Sequence, residues 1–191
     1  MRGSMSPLVS KLRGLCAVGP SDYQIGSLTY WSDDQLEAIL DSTAHTRKGI
    51  RLLALPAFTD GAWRTFDYVI PMEAGADFEA PGAGSGFALR DSGGGEVPPA
   101  AYTLNLPARR VTFSTDQGGA TFTVDARAYN VYLAAAMVWE QKAAHAAGEV
   151  SWGADNHRVD AGQEYEHCLT MARHYRRLAG LSVVEMVRVD G

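Results

Sequence analysis

The sequence predicts an α+β protein: a small antiparallel helical bundle with a β-rich, antiparallel-meander insertion between its second and third helices. Three observations predict it. Apolar residues recur at helical spacing in four segments, two near the start and two near the end. Between them, short β-leaning runs are separated by closely spaced Gly and Pro clusters. The strands are grouped in the middle rather than alternating with helices, which favours α+β over a doubly wound sheet.

The first helix is read at 6–18, where Leu8, Leu12 and Leu15 share a face and Ser6-Pro7 opens the first turn. Gly19-Pro20 stops it. "MRGS" before Met5 fits an appended tag or an early native start and receives no structural weight. In "YWSDDQLEAILDS", Ser32 and Gln35 form a capping box, and Trp31 stands where a hydrophobic staple packs on Leu36. A helix from Asp33 to about Thr43 follows, with Leu36, Ile39 and Leu40 as its buried stripe.

Near residue 49 the character changes. "IRLLALPAFTDGAWRTFDYVI" reads as two strands about a turn at Asp60-Gly61, and "EAGADFEAPGAGSG" as a loop. Further strands are expected at 87–90, 102–105, 110–114 and 121–125, with "SGGGE" and "DQGG" as turns. A long helix is expected at 126–147, ended by Gly148. After a connector at 151–160, a last helix capped by Asp160, with Gln163 three residues on, runs to Ala179 and stops at Gly180. The chain thus divides into an N-terminal helical part at 5–47, the β-rich insertion at 48–124, a C-terminal helical pair at 125–180 and an extended tail at 181–191.

With 46% hydrophobic and 20% charged residues over 191 positions, the chain can bury a core without staples. Its net charge of −5 argues against a nucleic-acid-binding surface, but leaves room for an acidic channel wall. Two distant cysteines, Cys16 and Cys168, are no disulfide framework and suit a reducing compartment. No run approaches the roughly 18 apolar residues of a membrane helix, and the start lacks a signal-peptide core. The expectation is a soluble protein made in the cytoplasm.

Four motifs invite a chemical reading and each has a plainer one. "GAGSG" at 82–86 lacks the following helix and Lys of a phosphate loop, so it reads as a turn. His167 and His174 are seven apart, whereas helical metal pairs lie at i and i+4. Cys168 falls mid-helix on the stripe of Tyr165, Leu169, Ala172, Tyr175 and Ala179, where a thiol behaves as a small hydrophobe. The mixed clusters "DNHRVD" and "DSTAHTRKG" read as solvated surface. No serine elbow, paired-carboxylate site or dinucleotide fingerprint appears. Catalytic, cofactor-binding and metal residues are therefore all expected to be none, and the protein is expected not to be an enzyme.

What remains is packing. In "ARAYNVYLAAAMVWEQKAAHAAG", Tyr129, Tyr132, Ala136, Trp139, Ala143 and Ala146 follow the 3-4 spacing of a heptad seam. A second line of Val131, Leu133, Ala135, Met137 and Val138 leaves the first half little wet face. The helices at 33–43 and 161–179 can cover two stripes; the insertion or another subunit must cover the rest. The apolar tail residues Val183, Val184, Met186, Val187 and Val189 either lie back on the insertion or, the favoured reading, add to a neighbour's sheet. Tyr129, Tyr132, Trp139, Val183, Val184, Met186 and Val187 are the candidate subunit- or portal-interface residues.

"WSDDQLEAILDS", "FALRDSGGGEVPPAAYTLNLPARRVTF", "ARAYNVYLAAAMVWEQKAAHAA" and "GQEYEHCLTMARHYRRLAG" together resemble a tailed-phage head–tail adaptor (connector) protein, over most of residues 30–180. The motifs are patterns of small and aromatic residues, not catalytic signatures. The resemblance implies a structural virion protein at the capsid vertex. It would form a ring of about twelve copies under the portal, extend the DNA channel and dock the next neck or tail protein. It implies double-stranded DNA passing without sequence-specific contact, no cofactor and no membrane. The competing classes are a small-ligand-binding or hydrolytic α+β domain and another neck component, a stopper or tail-completion protein.

Overall fold

The structure is a computed structural model that describes residues 1–18, 23–25, 28–72, 76–82, 84–148, 152–154, 157–159 and 161–180. The chain is an α+β protein whose strands lie between helices in sequence. It forms two units. One contains Met1, Leu8–Thr43 and Asn130–Gly191; the other contains Arg2–Pro7 and Ala44–Tyr129.

The helical unit begins with α1 (Ser6–Cys16), most of which lies in it, and a two-stranded ribbon of β1 (Tyr23–Ile25) and β2 (Leu28–Tyr30). Next comes α2 (Asp33–Ser42), whose capping box forms as its sequence dictates: Ser32 Oγ accepts the Gln35 N–H and Gln35 Oε1 accepts the Ser32 N–H. Trp31 and Leu36, on either side of that cap, are both buried.

Strands β3 (Ala44–Arg51), β4 (Leu53–Thr59), β5 (Ala62–Val69), β6 (Ala76–Phe78), β7 (Ala88–Arg90), β8 (Tyr102–Asn105), β9 (Arg110–Phe113) and β10 (Thr123–Asn130) make the second unit, apart from the last residue of β10. One sheet has β10 between β3 and β6, with β7 also pairing β10; the other runs β4-β5-β9-β8. Tyr68, Phe113 and Phe122 meet at ring separations of 4.6–5.5 Å in a core completed by Ile70, Val111 and Val124. Opposite Asp125, β3 carries an extra residue, and Gly49 there has φ +65°, a conformation that favours glycine.

The helical unit resumes with α3 (Val131–Gly148). The ribbon of β11 (Trp152–Ala154) and β12 (His157–Val159) follows, then α4 (Ala161–Ala179). Among the described residues no helix is long and apolar enough to cross a membrane.

Three expectations are corrected. Residues 126–130 are strand, not the start of the long helix. Val124, Ala126 and Ala128 point into the core while Asp125 and Arg127 are half-exposed, a period of two that overrides alanine's helix propensity. The helix starts only where Asn130 Oδ1 accepts the Leu133 N–H at 3.0 Å. Residues 44–47 likewise belong to strand β3, paired along β10, rather than to the helical part. The segment 73–86, read as a loop, contains β6 and the fully buried Glu79. The Asp160 cap and the tail at 181–191 lie outside the described residues.

Candidate functional site

The first question is what covers α3. Within its first ten residues none is exposed, and Val131, Ala134, Ala135, Ala136, Val138 and Trp139 are buried. Small alanines let a neighbour approach closely, and one side is met by α1. The Cys16 Sγ lies 3.8 Å from the Ala135 carbonyl oxygen, and Leu8, Val9 and Leu12 are buried beside Cys16 on the same α1 stripe. On the α4 side, Tyr132 stacks on Tyr175 at 6.2 Å and the Trp139 ring meets His167 edge-on at 5.7 Å.

The end of α1 is held by polar side chains from α3 and α4. Ala17 adopts φ 48° and the Val18 N–H reaches back to the Arg13 carbonyl, a Schellman closure. The leftover carbonyls find side-chain donors. Leu15 O accepts from Trp139 Nε1 at 3.2 Å and from Tyr175 OH at 3.0 Å. Cys16 O accepts from Lys142 Nζ at 2.7 Å. The ammonium also stands 4.6 Å from the Trp139 ring centre and 5.5 Å from that of Trp31. Burial pushes the Cys16 thiol up to about 12 and raises that of Cys168, so neither behaves as a ready nucleophile.

Beside this junction, Tyr30, Trp31, Gln35, Ala38, Ile39, Gln141 and His145 line a pocket of about 320 Å³. Trp31 is held at φ 57°, an unusual conformation for a bulky residue. Its carbonyl accepts from Arg13 Nη2 at 3.0 Å, and its Nε1 donates to Gln141 Oε1 at 3.3 Å. His145 meets the Tyr30 ring edge-on at 4.6 Å and the Trp31 ring at 5.7 Å. The result is a small aromatic cup with glutamines among its polar groups.

The second feature belongs to the β unit. Every residue of β4 is exposed. At the Asp60-Gly61 turn, Phe58 and Trp63 pair across the strands, ring centres 5.6 Å apart, yet are 63% and 71% exposed. Leu53 and Leu55 of the same strand are also exposed. Pro56 lies on this edge strand opposite two residues of β5, the strand that carries the extra residue of a bulge.

In the same unit, the Glu79 carboxylate is buried and gathers donors. Ser4 Oγ donates to it at 2.6 Å and Tyr129 OH at 2.7 Å, and the Arg2 and Arg127 guanidiniums form ion pairs with it at 3.6 and 3.7 Å. Residues 2–4 therefore carry structure, contrary to their dismissal on sequence. Burial, then the bond to Glu79, pushes the Tyr129 hydroxyl up to about 12.

Of the interface candidates, Tyr129 is fully buried and presents no surface to a partner; Trp139, at 6% exposure, serves α1 of its own chain. Tyr132 is half-buried against Tyr175. Val183, Val184, Met186 and Val187 lie outside the described residues. His167 and His174 lie against Trp139 and Tyr175 respectively, and no metal-holding group occurs among the described residues. The "GAGSG" stretch turns through Ser85, whose Oγ accepts from the Gly82 and Phe87 N–H groups. Sequence reasoning missed the exposed tip because "LLALPAF" is continuously apolar, which reads as burial; the signal was an aromatic on each arm of an Asp-Gly turn. The chain matches no known protein-family model, no curated protein and no solved structure.

Proposed function

We propose that the chain is a structural assembly protein, a head–tail adaptor that forms a ring beneath a portal in the virion of a tailed phage. The adaptor-like patterns of small and aromatic residues in its helices and insertion suggest the class. The observation that carries an assembly role is the exposed Phe58–Trp63 pair. Two large aromatics held in water at the end of a hairpin are a recognition feature, because burying them against a partner is favourable and leaving them exposed is not. On this reading the protein is made in the host cytoplasm, joins the capsid vertex and docks the next neck or tail protein. Duplex DNA passes along the ring axis without sequence-specific contact, no side chain reading its base edges.

The test is to mix purified protein with portal and examine two-dimensional class averages by electron microscopy. A ring coaxial with the portal is the expected result. A chain that stays monomeric and unbound in the presence of portal would overturn the reading. The aromatic cup favours one alternative, a small-ligand-binding domain, since its volume is at the lower end of the usual ligand-pocket range. That alternative predicts a tightly bound metabolite in native mass spectra and no ring.

A further inference from the structure

We infer that the segment 181–191 of one copy adds as an extra strand along the outer edge of β4 in the next copy. The contact deepens the ring reading and rests on it for closure of the ring.

Strand β4 carries the inference. It ends its sheet and, among the described residues, pairs with β5 alone. Alternate N–H and C=O groups along it therefore point away from the sheet. All of its residues are exposed and none is charged. The strand that ends the other sheet is built differently. There β3 carries Arg47, Lys48, Arg51 and a bulge, devices that keep a foreign strand off an edge. On β4, Pro56 removes a single N–H and leaves those on either side of it. An exposed, uncharged edge of this length is a template for an added strand.

The occupant follows from the chain itself. "LSVVEMVRVDG", 181–191, comes directly after the Gly180 stop of α4 and lies outside the described residues. In it Leu181, Val183, Val187 and Val189 recur at a period of two, with Glu185 between them. Its valines favour an extended backbone, and it has no proline, so every position can donate a ladder hydrogen bond. Fully extended, 181–191 reaches about 36 Å, against about 23 Å for the seven residues of β4. The surplus leaves several residues to cross between copies. Pairing sets the apolar face of the segment beside Leu53 and Leu55, which share one side of β4 and are 54% and 38% exposed.

Edge and segment are different parts of the chain, so the contact is not self-complementary. Each copy gives one strand and receives one, and repetition generates a ring when the rotation closes. Two β4 edges paired with each other would instead stop at a dimer.

The test uses the 191-residue chain with one added thiol per variant, Ala57→Cys on β4 and Glu185→Cys in the segment. The variants are treated with a short bis-maleimide, with and without portal. Both native cysteines are buried. The expected result is a two-chain product only when the two variants are mixed. Val183→Pro with Val184→Pro in the Glu185→Cys chain should reduce it about tenfold or more, since in either register one lost N–H faces β4. Val183→Thr with Val184→Thr keeps both N–H groups and should leave the yield unchanged. Four results would overturn the contact: no product in either condition, Ala57→Cys joining to itself, a chain carrying both thiols closing internally without dimer, or proline variants that cross-link as well as the threonine ones. Imaging of the unsubstituted protein with portal separates the two ideas. Rings without the cross-link sink this contact and leave the adaptor reading; the cross-link without portal binding does the reverse.

Discussion

At the scale of single residues, Glu79 has the most at stake. A buried carboxylate is tolerable only while its partners are in place, and here two hydroxyls donate to it and two guanidiniums balance its charge. Glu79→Ala leaves the Tyr129 hydroxyl in the core without its acceptor and removes the anchor of residues 2–4. Urea unfolding should show a loss of about 3 kcal/mol or more, against about 1 kcal/mol for Tyr129→Phe, which deletes one hydrogen bond. A result in which Glu79→Ala costs less than Tyr129→Phe would contradict the burial argument. Two aspartates confer acid sensitivity. The Gly49 N–H, then Arg90, holds the Asp125 carboxyl below its ordinary range. The Thr65 and Gly118 N–H groups do the same for Asp116. Both are depressed in the fold, so their stabilisation is complete above the unfolded carboxyl value of about 4 and is lost as pH falls through the folded one. Thermal melts of Asp125→Ala should therefore show a lower Tm at neutral pH and a flatter decline below about pH 4.

At the scale of elements, α1 and α3 define each other. Ala17 sits where glycine is favoured, at the left-handed position of the Schellman closure. Ala17→Gly should stabilise the protein by about 0.5–1 kcal/mol, seen as a raised Tm; an equal or lower Tm would show that the closure is not the strained element. The alanines of α3 work the other way. Ala135 is fully buried with the Cys16 Sγ against its carbonyl, so Ala135→Leu overfills the contact and should cost about 1–3 kcal/mol in urea unfolding. Trp139→Asp places a carboxylate beside α1 in place of an indole that donates to Leu15 O. It should prevent accumulation of soluble folded protein, and a soluble variant with the parent's circular dichroism would refute the burial claim.

At the scale of the whole molecule, the large apolar side chains that stand exposed among the described residues are concentrated on the hairpin β4–β5. Whole-molecule behaviour should follow that surface: Phe58→Ser with Trp63→Ser should leave the monomer's Tm within a few degrees of the parent while abolishing ring formation on portal. A double variant that still forms rings would remove the hairpin from the assembly account. Truncation after Gly180 tests the tail separately, since loss of ring assembly or portal binding is expected if the tail reaches a neighbour. Rings and portal binding that both survive would end that proposal.

Much of this architecture was legible in the residues. Ser32 and Gln35 announce α2 because a capping box is satisfied within four residues. Asp60-Gly61 announces its hairpin because a tight turn needs only local backbone freedom, and Gly180 ends α4 for a similar reason. Alternation in "TVDARAY" was equally present, yet its alanines favour a helix locally; only pairing with β3 and β7 made it a strand. The sequence by itself determined the helices, turns and α+β order, since those depend on neighbours a few positions apart. The tertiary structure alone decided that Glu79 is buried, that Trp139 caps α1, and that Phe58 and Trp63 stand in solvent. Each of these depends on which distant groups exclude water or donate a hydrogen bond, and no local pattern specifies that.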